Sequence, residues 1–419
     1  MKTVTAIIIL ICSQSVCAKN LLSSIHSIDV KTLESSERTA LIARINHDLL
    51  ESKAKEFDIE LPSGIKSTVV FDRFKQHKKG RFSWFGHLKG QPQEQIHISH
   101  VNGHYSGALY TKHSAYEFSS PTEGQIKIIE LNPNEAFHCD ANNNQIISKP
   151  KSHAPTEKLL NKPLKKPLSN PKHKQSNQPT QIDVMVVYTD RTVQFGGGVS
   201  GVEARAQASV DAMTLAFSNS NVDAEVNLVY TGLVDYSEGP SALNWVSSDS
   251  NVAALRNTYA ADMVAIFVEL NGVTGCGTAW GMNDGSVGPQ FAPMAFQATK
   301  RNCALRFFTL AHEFGHNMGL RHNPEDSTPE FASFPWSFGH YQHNNFRTIM
   351  SYAEPCEGAN QGCPRQPYYS NPDVQFNNQD TGVDGERDNA RTLRATIDIV
   401  AAFRDPLPDL IFENGFESN

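Results

Sequence analysis

The chain has 419 residues, enough at about 150 residues per domain for two or three domains. Its hydrophobic fraction of 39% can supply a packed core, and its net charge of −7 excludes a chain that is basic overall, as most nucleic-acid binders are. Seven cysteines are too few for a disulfide-scaffold miniprotein and too many to ignore.

Residues 1–18 have the pattern of a secretory signal. Lys2 supplies the positive start, residues 5–11 the apolar stretch, and Val16 and Ala18 the small residues at −3 and −1. Cleavage after Ala18 and export are expected. The apolar run is far below the ~20 residues of a spanning helix, and no later segment reaches that length, so no membrane anchor is expected. Cys12 and Cys17 follow the bulky residues Ile11 and Val16, which argues against a lipid anchor. Beyond the signal, Cys139, Cys276, Cys303, Cys356 and Cys363 remain, an odd number for an oxidising compartment.

Residues 19–147 predict a small α+β unit. A helix is expected over 29–55, then strands over 67–74, 80–89, 95–101, 104–111 and 125–131, with Asn102-Gly103 as a hairpin turn. Residues 148–181 hold eight Lys, one acid and six Pro, so they cannot bury a core and predict an extended, protease-sensitive linker. Residues 182–404 carry 24 acids against 13 basic residues. That shift in charge places a domain boundary at the linker.

In this acidic segment, strands are expected over 182–188, 224–230 and 263–270. Helices are expected over 202–217 (amphipathic), 252–259, 304–318 and 388–403. Alternation of strand and helix predicts an α/β unit with a largely parallel sheet. Residues 405–419, with Pro406, Pro408 and the apolar Leu410-Ile411-Phe412, predict a tail.

The stretch that carries chemistry is His312-Glu313-Phe314-Gly315-His316-Asn317-Met318-Gly319-Leu320-Arg321-His322. His312 and His316, spaced i and i+4, share one helix face and suit two ligands of a tetrahedral Zn²⁺. Glu313 beside them is placed to take a proton from a zinc-bound water. Gly319 can take a positive φ, end the helix, and let the chain return with His322 as third ligand. Three protein ligands leave a fourth position open, which is the catalytic pattern. One catalytic Zn²⁺ is expected; a Ca²⁺ requirement is not legible.

His312 to His322 resembles the signature of metzincin zinc endopeptidases. Thr348-Ile349-Met350-Ser351-Tyr352 resembles their methionine turn, which implies that Met350 forms an apolar floor under the metal. The resemblance leaves Tyr352 as a fifth ligand, a support for the tetrahedral intermediate, or a packed aromatic. Residues 182–404 as a whole resemble bacterial reprolysin-like peptidases, including the peptidyl-Asp metallopeptidase group. The matching stretches include Val184 to Thr189, Cys276-Gly277, Ser370-Asn371-Pro372 and Asp388-Asn389-Ala390-Arg391. Asn323 departs from the Asp usual after the third histidine. The resemblance implies a metzincin-type α/β catalytic domain, with a twisted, mostly parallel sheet and a long zinc-binding helix, preceded by a small α+β pro-domain.

Four cysteines of the acidic segment allow three connectivities. Cys276–Cys303 and Cys356–Cys363 are favoured because each pair is close in sequence and leaves the zinc helix and methionine turn free; a second zinc site is the alternative. Cys139, by resemblance to metzincin pro-regions, could occupy the open zinc position and hold the enzyme latent. His138 or Asp140 could do so instead, or Cys139 could simply be unpaired. The peptidyl-Asp resemblance suggests acidic residues after the scissile bond, and Arg365 is either their cation or a surface arginine.

The resulting expectation is a secreted zinc endopeptidase acting on proteins or peptides. Its pro-domain (19–147) would be an intramolecular inhibitor or chaperone, and the maturation site would lie within 162–174. The alternative is a non-hydrolytic peptide- or protein-binding module on a peptidase scaffold.

Overall fold

The computed structural model describes residues 19–62, 64–132, 178–273, 275–327, 329–353, 356 and 363–405. The signal, Cys139 with its neighbours His138 and Asp140, the Lys-rich stretch and nearly all of the tail lie outside the described residues.

The N-terminal unit is a nine-stranded antiparallel sheet: β1 (Leu22–Ser27), β2 (Glu37–Ile45), β3 (Glu56–Glu60), β4 (Lys66–Lys78), β5 (Arg81–Leu88), β6 (Gln91–Val101), β7 (His104–Tyr110), β8 (Ala115–Ser119) and β9 (Gln125–Leu131). The strand order is β1-β2-β9-β8-β7-β6-β5-β4-β3. Its two ends come together: the Leu21 amide donates to the Asp58 carbonyl, and the Asp58 amide to that of Lys19. The sheet therefore curls into a near-barrel around Trp84, Phe57, Phe118, Ile98 and Leu109, which are all buried.

The helix expected over 29–55 does not form. Only α1 (His47–Glu51) is helical, and 37–45 is strand β2. Residues such as Glu37, Ala40, Leu41 and Ala43 favour a helix locally, but the backbone here is paired on both sides, by β1 and by β9. Ladder bonds and burial of Ala40, Leu41 and Ala43 outweigh a propensity worth a few tenths of a kcal/mol per residue.

The C-terminal unit has a five-stranded sheet. Its strands are β10 (Thr180–Tyr188), β11 (Ala224–Leu233), β12 (Met263–Val268), β13 (Gly277–Ala279) and β14 (Phe296–Lys300), in the order β11-β10-β12-β14-β13. β10 pairs in parallel with β11 and β12, and β12 with β14; the edge strand β13 is antiparallel to β14. Thr180 and Gln181, expected in the linker, already pair with β11. The helices are α2 (Asp190–Phe195), α3 (Gly198–Asn219), α4 (Ala242–Ser248), α5 (Ser250–Thr258), α6 (Arg301–Arg306), α7 (Thr309–Asn317) and α8 (Asn389–Val400).

Two expectations fail here, for related reasons. First, α3 is not amphipathic in its setting: every residue from Ala204 to Phe217 is buried. One face packs on β10 and β11. The opposite face, which reads as a solvent face because it carries Arg205 and Asp211, is covered by the N-terminal sheet. Asp211 there accepts hydrogen bonds from Ser83 and Ser99. Second, the long helix expected over 304–318 breaks into α6 and α7 at Phe308, whose φ is +53°. Phe308 leaves the helical path to stack on Tyr110 of the N-terminal sheet, at 4.8 Å between ring centroids. Among the described residues no helix is long and apolar enough to cross a membrane.

The seam between the units carries buried histidine. The His97 ring is bonded through Nε2 to the Ala208 carbonyl of α3. Burial lowers its pKa to about 4, against a raising influence from Asp211 and a lowering one from Arg73. On the opposite face of β6, inside the near-barrel against Phe82 and Tyr105, His100 is held at about 4 by burial and by His47 and His104. Both are neutral when folded and titrate near 6.5 when unfolded, so their contribution to stability is full above pH 6.5 and is lost as pH falls toward 4. The urea midpoint is therefore expected to drop between pH 7 and pH 4.5. His97→Gln, whose amide can still donate to Ala208, is expected to flatten part of that slope; an unchanged slope would contradict the assignment.

Candidate metal centre

α7 carries His312 and Glu313, both buried, and His316 one turn on. Gly319 ends the helix at φ +92°, with its amide bonded to the His316 carbonyl and the Leu320 amide to that of Gly315. A side chain there would be strained and would also meet Ser333 Oγ at 2.6 Å, so glycine is required twice over. The returning strand is pinned to 337–339: Arg321 N–H donates to the Ser337 carbonyl, and Gly339 N–H reaches the carbonyls of Arg321 and His322.

His322 is thereby set beside the helical pair. Its Nε2 lies 3.0 Å from that of His312 and 3.1 Å from that of His316. The Nδ1 atoms of His312 and His316 lie 2.9 Å from the carbonyls of Ile349 and Leu320. A carbonyl only accepts, so each of these Nδ1 atoms carries the proton and each Nε2 presents a lone pair. Burial holds His316 at about 4, assisted by Arg321, and holds His312 and His322 well below 6.5.

Lone pairs converging at this distance repel unless a cation lies between them. Ligands at about 2.0–2.1 Å from a tetrahedral ion stand about 3.3 Å apart, close to the spacing observed. Neutral imidazoles with carbonyl-oriented Nδ1 are the donor set Zn²⁺ takes. The three histidines fit the ion.

Met350 is buried against the ligand helix: a Cβ on Gly315 would lie 2.6 Å from its sulfur. Tyr352 packs on His322 at 4.2 Å between centroids and, like Phe307, lies against the Cys276–Cys303 pair. The structure joins Cys276 to Cys303 and Cys356 to Cys363. The first bond ties β13 to α6, the two elements flanking α7.

Glu313 faces β13. Burial pushes its carboxyl up to about 8, opposed by Arg365. A cation at the three histidines acts in the same sense as Arg365. Among the described residues no hydrogen bond to the Glu313 carboxylate is formed. A Cβ on Gly277 would lie 2.7 Å from Glu313 Oε1, so glycine at the edge strand leaves the space the carboxylate uses.

Three features escape a sequence reading. Asn323 anchors the methionine turn: its Oδ1 accepts from the amide of Tyr352 and the hydroxyl of Ser351, and its Nδ2 donates to Glu325 and Asp326. Aspartate could accept but could not donate to two carboxylates, which accounts for the amide at this position. Arg365 is no surface residue; it is buried and spans the carbonyls of Phe307 and Ser351, joining the α6–α7 joint to the methionine turn. Gly277 is legible only once Glu313 is seen against it. Cys139 lies outside the described residues.

Residues 178–369 match the family model Reprolysin_5, metallo-peptidase family M12. Three proteins named peptidyl-Asp metalloendopeptidase are similar to this chain. That of Xanthomonas campestris is 34% identical over 55% of this chain and 53% of its own length. That of Stenotrophomonas maltophilia strain R551-3 is 30% identical, over 55% and 54%. That of Pseudomonas aeruginosa is 29% identical, over 54% and 41%. The chain thus spans about half the length of the curated relatives it matches.

Glu313 and Gly277 share one small volume, so Gly277→Ala must displace the carboxylate. Peptide hydrolysis is expected to fall about tenfold or more, with the affinity of the three histidines for zinc unchanged. Wild-type kcat/KM in that variant would show that Glu313 does not need the space.

Proposed function

We propose, from a chain whose residues 178–369 carry a reprolysin-like domain of metallo-peptidase family M12, that the protein is an exported zinc endopeptidase made as a latent proenzyme. One observation carries the reading: the Nε2 atoms of His312, His316 and His322 converge on a point beside a buried carboxylate that forms no hydrogen bond among the described residues.

A Zn²⁺ held by His312, His316 and His322 supplies a Lewis acid that acidifies water and polarises a scissile carbonyl. The chain's own residues do the rest. Glu313, made more basic by burial and favoured as the carboxylate by Arg365 and by a cation at the histidines, takes a proton from water and later delivers it to the leaving amine, so no covalent intermediate is needed. The antiparallel edge strand β13 offers the backbone groups of its free side to an extended peptide. Met350 and Gly315 keep the floor apolar and close-packed. Tyr352, packed at a tilt on His322, would meet an oxygen of the substrate or steady the ligand ring.

The disulfides and the sequence of residues 1–18 support export. Residues 19–147 would serve as pro-domain, and Cys139 or its neighbours would block the metal until the Lys-rich linker is cut. The relatives' name supports bonds at aspartate, for which Arg365, a buried cation whose charge bears on Glu313, is the candidate partner.

Glu313→Gln keeps the shape and removes the base. Casein hydrolysis by the linker-cut protein is expected to fall at least about 100-fold, with one zinc retained. Hydrolysis at the wild-type rate would overturn the assignment. Chelation is expected to abolish hydrolysis and zinc to restore it. Zinc bound without hydrolysis by the wild-type cut protein would favour the peptide-binding alternative.

A further inference from the structure

The catalytic half is acidic overall, yet it gathers three arginines, Arg205, Arg301 and Arg306, beside its ligand helix. Arg205 of α3, Arg301 and Arg306 lie close enough that Arg301 and Arg306 both depress the affinity of Arg205 for its proton. Arg301 is paired within the same half, in a two-pronged bond to Glu269. Among the described residues Arg205 and Arg306 meet no acid of their own half. Their counter-charges come from the N-terminal sheet. Glu117 Oε1 lies 2.6 Å from Arg205 and its Oε2 lies 3.0 Å from Arg306, while Glu37 and Glu34 reach Arg306 at 3.1 and 3.3 Å. Ser36 Oγ accepts from the same guanidinium. Burial opposes the charge on Glu117, but the two arginines hold its carboxyl at about 2.

Arg306 is the last residue of α6, and three residues later α7 begins. Between them Phe308 sits at positive φ with its ring on Tyr110 of the N-terminal sheet. The turn that aims the ligand helix is thus gripped from the other half of the molecule, by charge on one side and by an aromatic stack on the other. Removal of the sheet would leave two buried arginines without carboxylates. It would also leave Asp211 without Ser83 and Ser99, and would open the outer face of α3, including Ala208, Ala212 and Leu215, to water.

We propose that the N-terminal sheet is a permanent positioning subunit of the catalytic half. After cleavage in the segment 133–177 it stays bound, and its grip on Arg306 and Phe308 sets the direction of the helix that carries His312, Glu313 and His316. Arg306 is a positioning residue: it acts through the α6–α7 turn and touches none of the three histidines. This inference stands apart from the peptidase reading, because its first readout is association.

The test uses the full chain, cut with a lysine-specific protease and passed over a sizing column in native buffer. Both fragments are expected to elute together at the size of the uncut protein and to separate only in denaturant. Elution of the catalytic fragment alone, with the zinc affinity of the uncut protein, would overturn the proposal. Arg306→Met is expected to weaken zinc binding, read by competition with a chelating dye, about tenfold, and Arg306→Lys to recover most of the loss. Equal zinc affinity in wild type and the Met variant would overturn the positioning role. Should the Met variant fail to fold, Glu117→Gln in the cut protein keeps the test open: the fragments are expected to separate at a lower urea concentration than wild type, and an unchanged concentration would count against the grip.

Discussion

Three imidazole lone pairs aimed at one point are the constraint the site is built around. Neutral rings packed this closely repel through their acceptor nitrogens, so the fold must hold them there against their own preference until a cation joins them. It does so by making each neighbour serve two purposes. Ile349 and Leu320 fix tautomers with their carbonyls while lying in the methionine turn and the post-helix turn. Gly315 lets the Met350 sulfur approach the helix, and Gly319 turns the chain back and clears Ser333. Asn323, next to the third histidine, secures Ser351 and Tyr352.

The same economy appears in the two halves. α3 carries the sheet of the catalytic half on one face and the N-terminal sheet on the other, so a single helix is core for both. The N-terminal unit is consequently more than a cover. Its acids balance the arginines of its partner, and its Tyr110 occupies the corner where the ligand helix begins.

Much of the site is legible in the sequence because it is local. An i, i+4 histidine pair with a glycine-terminated turn needs only helix geometry to be read, and the apolar runs at 182–188 and 263–270 declare themselves as buried strands, the second ending at Val268. The disulfide pairs follow from closeness in sequence and match the pairing in the structure. What is not legible depends on partners far along the chain. Arg306 meets Glu117 across 189 positions, and Phe308, where the apparent continuous helix breaks in two, stacks on the similarly distant Tyr110. Arg205 and Asp211 look like solvent residues until a second sheet is laid on them. Residues 37–45 have helix-forming composition, and only pairing with β1 and β9 makes them a strand. Asn323 stands out in sequence as a departure, yet its reason is visible only in four hydrogen bonds.

The most direct test of the central claim, a three-histidine zinc centre with an open position, is X-ray absorption at the zinc edge on the zinc-loaded, linker-cut protein. The account predicts three imidazole nitrogens at about 2.0–2.1 Å and one further light atom. Two imidazoles, or a sulfur shell at about 2.3 Å in the cut protein, would contradict it.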